Sequence, residues 1–380
     1  PYTTLFRSGS GQYAADLIPR MYMGNALAKS NFFETKGMNA SVVKTIDYDN
    51  DGDLDIFIGN NSKSNSFGRM PDCYLLNNNK GVFTITQSAT FAGIGMVTDA
   101  LVSDFNKDGN LDLIVVGEWM KPKFFANTKG NFKEVTDSLL SGNHNGLWQS
   151  ITSFDIDQDG DQDYLLGNWG MNSKFKSSKE FPMKMYYDDF DTNGTFETIV
   201  AIEKKGNYYT TMGLDELVEE FSGMLKKKFN NYKSFAGKKV DEIFDVAMLE
   251  KATLYEVHDL KSGYLRNDNG KFTFIPFSNK MQVGPITSFV KLDFDGDGKD
   301  EVFAAGNYFG VTPYHSRFDG FSGALIKNQK TIYLGNQIGI DLSQKAVRHL
   351  DIIPFNGKKY LLVTVNNKKA EVYELPKNKN

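Results

Sequence analysis

DYDNDGDLDIFIGN (47–60), DFNKDGNLDLIVVGEW (104–119), DIDQDGDQDYLLGNWG (155–170) and DFDGDGKDEVFAAGNY (293–308) are four versions of one phrase, and a weaker fifth, DFDTNGTFETIVAI, lies at 189–202. Each opens with a nine-residue loop, Asp-x-Asp/Asn-x-Asp/Asn-Gly-x-x-Asp/Glu. A short apolar run precedes each loop, as in SVVKTI, SITSF and TSFVKL, and another follows it, as in IFIGN, YLLGNW and VFAAGNY. Both flanks are rich in β-branched and aromatic residues, so the pattern predicts two strands joined by a tight turn. Glycine at the sixth position allows the sharp bend.

Oxygen donors fall at alternate positions of every loop. The first offers Asp47, Asp49, Asp51 and Asp55 with the carbonyl of Asp53; the second, Asp104, Asn106, Asp108 and Asp112 with the carbonyl of Asn110. The third offers Asp155, Asp157, Asp159 and Asp163 with Asp161; the fourth, Asp189, Asp191, Asn193 and Glu197 with Thr195. The fifth offers Asp293, Asp295, Asp297 and Glu301 with the carbonyl of Lys299. Such a set suits Ca²⁺, a hard ion that takes about six to eight oxygens. Without a cation the crowded carboxylates repel one another, so about five ions are expected to help close the turns. The first, third and fifth loops are expected to bind best and the fourth least. The rival is the EF-hand, which needs a glutamate at position 12 between helices. Position 12 here is Ile58, Val115, Leu166, Val200 and Ala304, each inside a strand-like run, so that reading fails in all five loops.

A second element recurs: YLLNNNKGVF (74–83), FFANTKGNF (124–132) and YLRNDNGKF (264–272) read as outer hairpins with Asn/Gly turns. Two hairpins per repeat make a four-stranded sheet, and the first three loops, 57 and 51 residues apart, have the spacing of propeller blades. The fold expected is all-β, a β-propeller of six to seven four-stranded blades. Residues 19–33 read as a degenerate copy, and 347–373 as a last blade whose turn has lost its aspartates. The 34 residues from Asp155 to Asp189 are short for a blade, and the 104 from Asp189 to Asp293 must hold an insertion. Leu214, Leu217, Val218, Phe221 and Leu225, then Val240, Ile243 and Phe244, follow helical spacing, which predicts a helical pair at about 213–252.

The remaining composition sets bounds. The five loops hold 21 of the 47 acidic residues, and five bound Ca²⁺ ions would carry the formal charge from −4 to +6. The expectation is an ordinary mixed surface with no nucleic-acid partner. Cys73 stands alone, which excludes an internal disulfide and cysteine-ligated zinc. No apolar run is long enough to span a membrane. The first eight residues, PYTTLFRS, resemble the translation of a sequencing adapter. Read so, the native domain starts at residue 9 and is the C-terminal part of a longer protein, with a lipid anchor expected in its missing N-terminal part.

Each loop is a hairpin turn, so the far strand ends meet at the opposite face. Those ends bring Thr98 and Asp99 beside Glu118 and Trp119, Trp148 and Gln149 beside Asn168 and Trp169, and Thr287 beside Asn307 and Tyr308. Aromatic faces beside polar groups suit a carbohydrate. A second polar spot is expected at His315, Arg317 and Asp319, which alternate along PYHSRFDGF (313–321). There is no G-x-S-x-G and no H-E-x-x-H, and the four histidines form no triad by spacing, so no catalytic residue is assigned.

The four quoted segments resemble the FG-GAP/VCBS β-propeller repeat family, over about residues 19–380. More narrowly, the chain is similar to VCBS/ASPIC-type surface lipoproteins of Bacteroidetes, themselves similar to cartilage acidic protein. The resemblance implies an extracytoplasmic, calcium-bearing propeller that binds or adheres to glycan or protein. Two alternatives stand beside it: a calcium-dependent polysaccharide lyase using His315 and Arg317, and a purely structural propeller within a larger uptake-associated protein.

Overall fold

The computed structural model describes residues 21–23, 28–30, 38–63, 67–311 and 317–375. All five acidic loops are hairpin turns. They join Met38–Ile46 to Asp55–Lys63, Met96–Ser103 to Asp112–Met120, Ser150–Phe154 to Asp163–Gly167, Met183–Asp188 to Glu197–Lys204, and Ile286–Leu292 to Glu301–Gly306. The degenerate turn at Asn356 and Gly357 does the same for Val347–Phe355 and Lys358–Val365. The outer hairpins form where the Asn/Gly turns place them: Tyr74–Asn79 with Val82–Thr86, Lys123–Thr128 with Asn131–Glu134, and Gly263–Asn267 with Phe272–Pro276.

The fold is a nearly all-β propeller. The first strands of five sheets, Met38–Ile46, Met96–Ser103, Ser150–Phe154, Ile286–Leu292 and Val347–Phe355, lie side by side in that order. The second strands are buried on both faces, and alternate residues enter alternate cores. Leu113 and Val115 pack with Phe57 and Leu75 of the preceding sheet and with Phe91 of the short helix Ser88–Phe91 after it. Ile114 and Val116 pack with Tyr164 and Leu166 of the following sheet and with Trp148 just before its first strand. Val302 and Ala304 face back to Leu165 and Tyr264, while Phe303 and Ala305 face on to Val347, Leu361 and Val363. The core is thus a set of layers between blades. The degenerate copy expected at 19–33 lies outside the described residues, apart from paired strands Met21–Met23 and Ala28–Ser30.

The irregular loop spacing has a topological cause. The third blade is Ser150–Phe154, Asp163–Gly167, Gly263–Asn267 and Phe272–Pro276 in order, so its second and third strands are 95 residues apart in the chain. Residues 168–262 build a separate sheet of Asn207–Thr210, Glu197–Lys204, Met183–Asp188 and Thr253–Val257. The fourth acidic loop therefore turns a hairpin of the insertion and not a blade of the ring. The helical stretch is five short helices from Leu214 to Lys251, where a pair was expected. They pack through Leu217, Phe221, Ile243 and Phe244 onto Phe190, Ile199 and Ala201. The sheet's other face, with Met183, Met185, Val200 and Ile202, packs on Trp119, Leu147 and Trp169 of the propeller. The helices buttress the inserted sheet, and that sheet sits on the propeller at the end opposite the ring's loops. Among the described residues no helix is long and apolar enough to cross a membrane.

Hydroxyls join the blades along the ring. Ser41 Oγ donates to the Val97 carbonyl (2.6 Å), Thr98 Oγ1 to Trp148 (2.8 Å), Ser150 Oγ to Ile286 (3.0 Å) and Thr287 Oγ1 to Val347 (2.7 Å). Thr287→Val keeps the shape and deletes one such bond. It should lower unfolding free energy in urea by about 1 kcal/mol with unchanged circular dichroism. No change in the midpoint would show that the bond carries nothing.

Candidate metal loops and an axial pocket

The acidic loops share a hydrogen-bond plan. The glycine N–H at position six donates to the first aspartate: Gly52 to Asp47 (3.2 Å), Gly109 to Asp104 (3.0 Å), Gly160 to Asp155 (3.0 Å), Gly194 to Asp189 (2.9 Å) and Gly298 to Asp293 (3.1 Å). Carboxylate oxygens from Asp47, Asp49 and Asp55 lie within 4.8 Å of one another, as do those of Asp155, Asp157 and Asp163, of Asp189, Asp191 and Glu197, and of Asp293, Asp295 and Asp297. In the second loop Asn106 takes the place of an acid and donates to Asp108 (3.0 Å). Buried Oδ1 atoms of Asp47, Asp157, Asp161 and Asp293 have no hydrogen-bond donor. Hard oxygens held close together, some lacking any proton, fit a divalent cation. Burial, and then the neighbouring loop carboxylates, push Asp112 and Asp163 up to about 6, against the backbone hydrogen bonds they accept.

The ninth position does more than offer an oxygen to a cation. Asp55, Asp112 and Asp163 are fully buried. One oxygen of each accepts from the loop, from Tyr48, Phe105 and Ile156 N–H at 3.1–3.2 Å. The other accepts from the third strand, from Asn78, Asn127 and Asn267 N–H at 2.8 Å. Periodicity alone does not show this second partner.

At the opposite end lies a pocket of about 370 Å³ on the propeller axis. Ser41, Thr98, Gln149, Thr287 and Arg348 line it from five successive first strands or the residue just before one. Four of these sit at one-residue register shifts in their strands. A bulge re-aims a side chain, and here it turns one residue per blade to the axis. Asn61, Glu118, Trp169 and Tyr308 complete the wall from the second strands or just beyond them, with Asn39 and Phe67 beside them. Gln149 Nε2 donates to Glu118 Oε1 (3.0 Å). Burial pushes the Glu118 carboxyl up, against hydrogen bonds from Gln149 and Asn61 and the charge of Arg348. The Arg348 guanidinium lies 5.2 Å from the Tyr308 ring centre. Trp169 meets Tyr308 and Phe318 edge-on at 5.2 Å, and its buried Nε1 has no acceptor.

Of the residues expected at this face, Thr98, Glu118, Gln149, Trp169, Thr287 and Tyr308 line the pocket. Trp148 is wholly buried against Phe274, with Nε1 donating to the His144 carbonyl (3.0 Å). Trp119 is also buried, at φ +60°, under the inserted sheet. Asn168 and Asn307 spend their amides on backbone: Asn168 on Leu147, Trp169, Asp259 and Lys261, and Asn307 on Phe321, Leu342 and Lys345. Asp99 accepts from Ala100 and Ile151 N–H and pairs with Lys44 (3.1 Å). Those five are structural because each satisfies or fills something buried. His315 lies outside the described residues. Arg317 stacks over Phe309 (5.2 Å), and Asp319 accepts Gln344 N–H through its carbonyl; neither reaches the pocket. The alternation read at 313–321 yields one bridge, Tyr308 to Phe318, and no strand among the described residues. Arg348, Ser41 and Asn61 went unread; Arg348 sits in the blade whose turn lacks the acidic landmark.

Fold and loops together define a β-propeller with acidic hairpin turns. The FG-GAP-like repeat model matches residues 47–115 and 104–166, so this part of the chain carries two FG-GAP-like repeats. Comparison with curated proteins finds no match. Among solved structures, the chain is similar to the Vibrio cholerae biofilm matrix protein Bap1, at 11% identity and TM-score 0.36, covering 92% of this chain and 71% of that one. It is also similar to an Agrocybe aegerita lectin that recognises non-reducing terminal N-acetylglucosamine (15%, TM-score 0.26, 89% and 81%) and to the Dos1 propeller (11%, 0.30, 97% and 85%). These likenesses are loose, and the propeller assignment stands on the strand order within this chain.

Asn168→Leu removes an amide that serves two N–H groups and two carbonyls. It should cost about 2–3 kcal/mol in urea unfolding. A loss within experimental error would return Asn168 to the candidate ligand groups.

Proposed function

We propose that the chain is a calcium-stabilised, extracytoplasmic β-propeller that acts as a binding module and not as an enzyme. The observation that carries this is the axial pocket. It sits away from the ring's acidic loops, takes a polar residue from each of five first strands or just before one, and has the Trp169 ring in its wall. Glu118 and Arg348 offset each other's charge, so the pocket suits an uncharged, hydroxyl-rich group: a sugar residue of a glycan, or a polar side chain of a protein. Tyr308 and Trp169 supply rings for its C–H faces.

The acidic loops supply the reason for calcium. Their oxygen sets fit it, and turns of this kind work outside the cell at about 10⁻⁴–10⁻³ M calcium. The resemblance to bacterial VCBS/ASPIC surface lipoproteins extends the proposal to a lipid-anchored protein at the cell surface.

A glycan array read with wild type and with Glu118→Gln and Trp169→Phe tests the pocket. A sugar bound by wild type should bind each variant at least tenfold more weakly. Equal binding by all three proteins would place recognition elsewhere. Chelation tests the metal: removing calcium should lower Tm by about 5 °C or more, the scale expected when a ligand at many times its Kd is withdrawn. An unchanged Tm would end the calcium reading.

A further inference from the structure

The third strand of each blade passes beside its acidic loop, and one position there comes close to the third loop residue. By register with the second strand, that position is Asn77, Ala126, Arg266 and Lys327 in successive ring blades. Asn77 donates Nδ2 to Asp49 (2.8 Å). Ala126 offers nothing polar. Arg266 turns back to Asp268, just past its strand (3.0 Å), and acts on Asp157 of the third loop only through its charge at longer range. Lys327 is the one cation of the four that touches loop carboxylates: Nζ lies 2.5 Å from Asp295 Oδ2 and 3.0 Å from Glu301 Oε1. Glu301 is nearly fully buried, and its other oxygen accepts Phe294 N–H (2.8 Å).

Resting on the calcium reading, we infer that Lys327 is the built-in cation of the fifth loop, holding two of its carboxylates where the other ring loops rely on a divalent ion. An ammonium between Asp295 and Glu301 already relieves part of the repulsion that would open the turn. A divalent ion entering beside it meets a like charge, so it must displace Lys327 to use both carboxylates. The long lysine stem can swing. A groove of about 430 Å³ between the third loop and the fifth gives it room, with Asp155 and Asp300 in its wall. The consequence is a graded set of sites. The first and third loops, which meet no lysine among the described ion pairs, fill first. The fifth fills last and keeps its hairpin without metal, although its carboxylate count alone would rank it with the strongest.

Calcium titration calorimetry of the full chain tests this with wild type, Lys327→Met and Lys327→Gln. In both variants the site that fills last in wild type should bind at least tenfold tighter. Hydrogen exchange supplies an independent reading. In chelator, amides of the Asp293–Glu301 turn should exchange at least tenfold faster in both variants than in wild type, and in saturating calcium the difference should vanish. Calcium bound with the same isotherm by all three proteins would overturn this inference alone, as would equal exchange in chelator. No calcium uptake by any of them would overturn the calcium reading as well.

Discussion

A buried carboxylate at the ninth position of the first three acidic loops ties the strands of each of those blades together. Asp55, Asp112 and Asp163 stand at the first residue of their second strands, with one oxygen bonded to the loop and the other to the third strand. One side chain therefore fixes the turn, the second strand and the entry of the outer hairpin. The cost of burying the charge is visible in Asp112 and Asp163, whose carboxyls burial pushes up to about 6. Two backbone N–H bonds recover part of it, and a cation would recover more. A metal in these loops would act on blade geometry and not only on a surface turn.

That joint leaves the other end of the strands free to diversify. The loop end repeats because three strands must meet there. The far end needs only a bulge and a hydroxyl bond to the next blade, so its axial residue changes from serine to threonine, glutamine and arginine around the ring. Glu118 marks the same freedom. The residue after the strand glycine is asparagine at Asn60, Asn168 and Asn307, where it bonds nearby backbone. In the second blade that place holds Glu118, which points to the axis while Trp119 takes the left-handed turn.

The same contrast explains what could be read in advance. Turns and outer hairpins were legible because Asp, Asn and Gly at fixed offsets carry a backbone requirement. The opposite face was legible as a place, since a hairpin brings its free ends together. Its membership was only partly legible. Trp148 and Trp169 occupy similar sequence settings at strand ends, yet one is packed under Phe274 and the other faces the pocket, a difference made by neighbouring blades. Arg348 was hidden because its blade has no acidic turn to set the register. The insertion was half-read: helical periodicity revealed the helices, but nothing at Gly167 signals that the chain leaves a blade after its second strand.

The choice between aspartate and glutamate at the ninth position follows from what stands opposite it. Where the third-strand N–H is in reach, at Asn78, Asn127 and Asn267, the residue is aspartate and both oxygens are taken by backbone. In the two loops ending in glutamate the outer oxygen meets a side chain: Thr195 Oγ1 at Glu197 (2.8 Å) and Lys327 Nζ at Glu301 (3.0 Å). The inner oxygen keeps its loop partner in both, Phe190 or Phe294 N–H. The extra methylene pushes the outer oxygen past the backbone ladder, where only a side chain can meet it. Identical turn chemistry thus produces two kinds of blade joint, one fixed by the main chain and one dependent on a side chain that can move away.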